Sequence, residues 1–86
     1  LLDPLRFLQH LATLHPDLIG AWAYSDELFP ALDGLYTVEG GVVRRTPYPT
    51  SDAYPKCRTT AELLAQLGKF LGEELSYSLR LFFEAV

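Results

Sequence analysis

Cys57 is the only cysteine in the 86-residue chain, and it lies between Lys56 and Arg58, just ahead of a segment that reads as a helix start. Neighbouring cations and helix-terminal amides both favour thiolate over thiol, which makes Cys57 the candidate reactive thiol. Nucleophilic catalysis also needs a base and an oxyanion site, and neither His10 nor His15 is near Cys57 in sequence. The plainer assignment is an ordinary loop cysteine, and no catalytic residue is expected. On one helix, two histidines five residues apart point about 140° away from each other. No cysteine or carboxylate stands at ligand spacing from them, so no metal site and no cofactor are expected. His10 is expected at the surface, and His15 at the end of the first helix.

Cys57 belongs to an uneven stretch, RRTPYPTSDAYPKCR, spanning residues 44–58. Its four basic side chains, Arg44, Arg45, Lys56 and Arg58, are candidates to converge with the amides of Thr60 and Ala61 on a phosphate or carboxylate. No glycine-rich phosphate loop precedes this helix, and solvated basic residues offsetting an acidic chain are the simpler account. Pro47, Pro49 and Pro55 alternate with Tyr48 and Tyr54 and favour an extended segment with little order to lose on docking. A loop of this length in a small domain is either functional or disordered. The candidate partner-contact residues are Arg44, Arg45, Tyr48, Tyr54, Lys56 and Arg58, weighed against passive connection. Asp26, Glu27 and Asp33 occupy the other irregular stretch and are expected to cap turns.

The composition, 49% hydrophobic and 21% charged, describes one globular domain with a single modest core over residues 1–86. A net charge of −4 argues against general nucleic-acid or anionic-membrane binding, which needs a basic surface. Residues 44–58 nevertheless carry +3, so the remainder carries −7. A lone cysteine forms no internal disulfide and leans toward the cytoplasm. No apolar run approaches the roughly 18 residues of a membrane span. The chain starts at Leu1 and has no methionine, which suggests a piece of something longer.

The elements that position these residues follow from local pattern. Asp3-Pro4 is a helix start, with Leu5, Leu8, Leu11 and Ala12 at helical spacing and His15-Pro16 as the stop. DLIGAWAYS is apolar on both alternating faces and reads as a central strand covered on both sides. SDELFPALDG is an irregular connection. LYTVEGGVVRR is a hairpin about Gly40-Gly41, pairing Val38 with Val43, Thr37 with Arg44 and Tyr36 with Arg45. Thr59 and Glu62 form a capping box for a second helix, whose apolar face is Leu63, Leu64, Leu67, Phe70 and Leu71. Ala61, Ala65, Gly68 and Gly72 form a small-residue stripe beside that face, the candidate self-association surface. SYSLRLFFEAV alternates Tyr77, Leu79, Leu81, Phe83 and Ala85 against polar neighbours and reads as a final strand. The expected fold is α+β, an antiparallel sheet with two helices in the order α-β-β-β-α-β.

Three segments, LRFLQHLATLHPDLIGAWAYS, DGLYTVEGG and TTAELLAQLGKFLGEELSYSLRLFFEAV, together resemble the roadblock family of small α+β dimers with a profilin-like fold. The resemblance implies a homodimer built on the second helix and the strand after it, and a scaffolding role toward a small GTPase or another partner chain. SDELFPALD is longer than the family's tight turn, a Gly-Gly hairpin is not in its usual order, and its last strands and final helix have no counterpart. The expected function is a non-catalytic, self-associating interaction or regulatory module. The competing class is a small acidic inhibitor or immunity-type protein, monomeric and strongly salt-dependent in binding a basic partner. A thiol-dependent or anion-binding domain is the third.

Overall fold

The computed structural model describes residues 2–85; Leu1 and Val86, the two ends of the chain, lie outside them. Helix α1, Pro4–Leu14, is followed by strand β1, Gly20–Tyr24, and a single 3-10 turn, Pro30–Leu32. Strands β2, Gly34–Glu39, and β3, Val42–Thr46, form the hairpin; β4, Lys56–Cys57, leads to helices α2, Thr60–Leu71, and α3, Glu74–Glu84. The sheet order is β3-β2-β1-β4, with β1 antiparallel to β2, β2 antiparallel to β3, and β1 parallel to β4.

The class is α+β, as the pattern indicates. Helix α1 begins where Asp3 Oδ1 accepts from the Leu5 amide at 3.0 Å, with Pro4 in the first turn. It buries Phe7, Leu8, Leu11 and Ala12. The hairpin has the expected register, Val38 with Val43, Thr37 with Arg44 and Tyr36 with Arg45. Its turn requires Gly40 and Gly41, whose φ values of 58° and 77° are the positive pair of a tight two-residue connection. The α2 cap differs in one bond. Thr59 Oγ1 accepts from the Glu62 amide at 3.1 Å, but the Glu62 carboxylate returns to the amide of Arg58, at 2.7 Å, instead of that of Thr59.

Two elements depart from expectation. The segment at residues 77–85, read as a strand, lies in helix α3 up to Glu84. Leu75, Ser78, Leu79 and Phe82 recur at i, i+3, i+4 and i+7 and turn inward, so the two-residue alternation is incidental. Only Gly72 and Glu73 separate α2 from α3, a link of the length found in helical hairpins. There are therefore three helices among the described residues, and the strand that the roadblock resemblance implies after the second helix is absent there. The second departure is β4, inside the expected loop. The Ala23 amide donates to Pro55 O and the Ser25 amide to Cys57 O, each at 2.9 Å, which makes the sheet mixed.

Helices α1 and α2 pack on one face of the sheet, and α3 packs on α1 and α2. A single core joins Phe7, Leu8 and Leu11 of α1 with Trp22, Tyr24, Tyr36 and Val38 of the sheet and Leu63, Leu67 and Leu71 of α2. The opposite face carries no helix. There Ala23 is buried, Ala21 half-buried and Ile19 exposed, so β1 is central but covered on both sides only at its Ala23 end. Residues 47–55 must run from one edge of the sheet to the other, and Tyr54 from this link stands beside Ala21 and Arg44 on the outer face.

Candidate functional site

The four basic residues of the 44–58 stretch do not converge. Arg44 and Arg45 are successive on β3 and point to opposite faces of the sheet, while Lys56 and Arg58 lie at or beyond the far edge, on and after β4. Arg45 is engaged internally. Its Nε and Nη2 donate to the Asp33 carbonyl at 3.2 and 2.9 Å, Nη2 also donates to Ala31 O, and the guanidinium stands 6.0 Å from the Tyr36 ring centroid. It therefore pins β3 to the 3-10 turn. Lys56 pairs with Asp52 one turn of chain away, and the hydrogen bond between them lowers the Asp52 carboxyl and raises the Lys56 ammonium from their ordinary pKa values.

Arg58 faces acid instead of an empty cradle. With Asp26, Glu27, Leu28, Thr59 and Glu62 it lines one shallow cleft of about 380 Å³. With Ser25, Glu27, Tyr48 and Lys56 it lines another of similar size. Both sit at the carboxyl ends of the parallel pair β1 and β4, but their mixed charge does not select an anion. Asp26 and Asp33 do the turn-capping expected of them: Asp26 Oδ1 accepts from the Leu28 amide and Asp33 Oδ1 from the Asp26 amide, both at 2.9 Å. Glu27 makes no such cap and lines both clefts.

Cys57 follows the plainer of its two sequence readings, though it stands on a strand and in the core instead of on a loop. Strand alternation turns its side chain into the core, where it is buried, and burial raises the thiol above its ordinary range, with Glu62 adding to the rise. The flanking cations lie on the solvent side and do not offset this. His10 and His15 also behave differently from two divergent helical residues. His15 has left helical geometry, at φ −129° and ψ 78°, and its ring returns toward α3. His15 Nε2 lies 3.2 Å from the Ser78 hydroxyl, and His10 Nε2 lies 3.1 Å from the Ser78 carbonyl. Both histidines thus hold α1 to α3, with Ser78 itself buried.

The small-residue stripe divides. Ala61 and Ala65 are exposed, and Gly68 faces Leu75, which lies 3.6 Å from where a Gly68 Cβ would stand. Gly72 lies beyond the end of α2, at φ 56°, and its amide donates to Gly68 O. Two of its four members are therefore used inside the chain. Phe70, assigned to the apolar face of α2, is exposed instead.

The site that sequence reasoning missed is the open half of the outer sheet face. Successive rows across the sheet place Ala21, Thr37 and Arg44 together, with Ile19, Glu39 and Val42 beside them. With Tyr54 from the crossover they line an open hollow of about 650 Å³. Ile19 is 65% exposed and Val42 51%. The available signal was the phase of Ile19, just ahead of β1, and Val42 on β3, readable only once β1 is known to pair with β2. Among the described residues no group of three His, Cys, Asp or Glu side chains is arranged to hold a metal, and no helix is long and apolar enough to cross a membrane. No family model, characterised protein or solved structure matches the chain.

Proposed function

We propose that this chain is a non-catalytic protein-interaction module whose contact surface is the open half of the outer sheet face. The observation that carries this reading is the exposure of Ile19 and Val42 in one hollow, on a sheet face whose other end is buried at Ala23. An exposed apolar patch rimmed by polar groups, here Glu39, Arg44 and Thr37, is the usual mark of a docking surface. The crossover then has a divided role: it connects the two edges, and it contributes Tyr54 to the contact. The non-catalytic part of the proposal draws support from Cys57 and Ser78, two nucleophilic side chains that both face the core.

Photo-crosslinkers placed at Val42 and, on the helical layer, at Gln66 test this. The chain captured from Val42 in an extract of the source cells is purified and its affinity measured. Val42→Lys is expected to weaken it at least tenfold without lowering the unfolding midpoint. Equal capture from both positions, or unchanged affinity, would overturn the proposal.

Self-association is the second reading, supported by Phe70, Tyr77 and Phe83, which leave aromatic surface exposed on α2 and α3. It predicts a dimer mass by light scattering that Tyr77→Asp reduces to the monomer.

A further inference from the structure

We infer that β3 accepts an added strand from an extended, acidic segment of another protein. This rests on the reading of the outer sheet face as a contact surface and names what occupies its rim. In a hairpin closed by Gly40 and Gly41, Glu39 and Val42 form the hydrogen-bonded closing pair, and so do Thr37 with Arg44 and Leu35 with Thr46. The backbone N–H and C=O groups of Val43 and Arg45 consequently point away from β2, toward the free edge of the sheet. Among the described residues no hydrogen bond reaches those groups.

Natural sheets guard such an edge with proline, a bulge, a covering segment or charge. Strand β3 contains no proline, and its register with β2 runs unbroken from Val42 to Thr46. Helix α1 packs against β3 through the core at Val43 but makes no hydrogen bond to its backbone; the remaining guard is the pair of arginines, and Arg45 is folded back onto the carbonyls of Ala31 and Asp33. Arg44 has no ion-pair partner among the described residues and shares the outer face with Val42 and Thr46. A carboxylate directly across from Arg44 on an added strand would satisfy that cation, and β-branched residues two positions to either side of it would stand beside Val42 and Thr46.

A second copy of the chain fits this edge less well. Antiparallel self-pairing centred on Arg44 or on Arg45 would set identical arginines opposite each other, which is destabilising. Centring it on Val43 avoids that clash but pairs only residues 42–44 of each strand.

The test uses two blocked seven-residue peptides that differ only in a central glutamate or lysine, each with valine two residues to either side of the centre, on the same face of the strand, and threonine elsewhere. Binding is followed by fluorescence anisotropy and by amide hydrogen exchange in the whole chain. The glutamate peptide is expected to slow exchange at Val43 and Arg45 selectively and to bind at least fivefold more tightly than the lysine peptide. Arg44→Gln should abolish that preference and Arg44→Glu invert it. Binding of neither peptide, equal binding of both, or binding without protection at Val43 and Arg45 would overturn strand addition. A mass that doubles with concentration, with Val43 and Arg45 protected in the absence of peptide, would assign the edge to a second copy and also overturn it. The proposed contact surface fails separately, through unchanged affinity of Val42→Lys for its crosslinked partner.

Discussion

His15 Nε2 lies 3.2 Å from the hydroxyl of Ser78, joining the residue that ends α1 to the middle of α3. Ser78 is the single buried polar residue among those described, and its carbonyl also meets His10 Nε2. Ser78→Ala removes the hydroxyl and leaves His15 without this partner. A loss of about 1–2 kcal/mol is expected, the cost of an unmade, partly buried hydrogen bond. Chemical denaturation of the single variants and of Ser78→Ala with His15→Ala measures the coupling; additive losses would show that the two side chains do not depend on each other.

Gly20 and Trp22 fit together on the core face of β1. A Cβ at Gly20 would come within 2.3 Å of the indole ring, and the ring is nearly buried among core residues. Gly20→Ala is expected to displace the indole, shift its fluorescence to longer wavelength and destabilise the chain by about 1–3 kcal/mol, as overpacking does. Trp22 is the only tryptophan, so its emission reports this site alone. An unchanged emission maximum would refute the close fit.

Tyr24 makes stability depend on alkaline pH. Burial, reinforced by its hydrogen bond to Asp26, raises its pKa from 10.0 to about 12. The folded state therefore holds the phenolic proton more tightly than the unfolded state. The associated stability is fully present below about pH 10 and is lost between about pH 10 and 12, by about 2–3 kcal/mol in all. Tyr36, raised by burial, acts in the same direction. Denaturation midpoints at pH 8, 10 and 11.5 should fall steeply for the wild type and less for Tyr24→Phe; parallel profiles would exclude Tyr24 as the source.

Cys57 should react with a thiol reagent only when the chain opens. Its burial and raised pKa both suppress the thiolate, so labelling at neutral pH is expected to be far slower than for free cysteine and to accelerate in denaturant. Fast stoichiometric labelling of the folded chain would contradict the buried placement.

What could be read from sequence was what neighbouring residues decide among themselves. Asp3-Pro4, the Gly40-Gly41 turn with its register, and the Thr59 cap are local chemistry, and each stands where the pattern put it. The last helix was ambiguous because residues 75–83 satisfy two periods at once, and the burial of Ser78 beside Leu75, Leu79 and Phe82 is what separates them. Strand β4 was hidden for a different reason: its pairing partners, Ala23 and Tyr24, are remote in sequence. The same holds for the outer hollow, which requires Ala21, Thr37 and Arg44 to meet across three strands. Charge was misleading at Arg45 and Cys57, since the sequence shows neither the carbonyls that hold one nor the core that encloses the other.

The parallel contact of β1 with β4 also bears on the order in which the chain assembles. The β2–β3 hairpin and the α2–α3 pair each join elements adjacent in sequence, whereas Ala23 meets Lys56 only after the whole hairpin and crossover have been looped out. Closing that long loop costs entropy before any contact repays it, which favours a late event. We therefore expect two halves, residues 2–46 and 56–85, to gain structure separately and meet at this seam. Kinetic analysis of Cys57→Ala should then give a φ-value near 0 while Val38→Ala gives a clearly larger one, and the reverse ranking would place the seam in the folding nucleus.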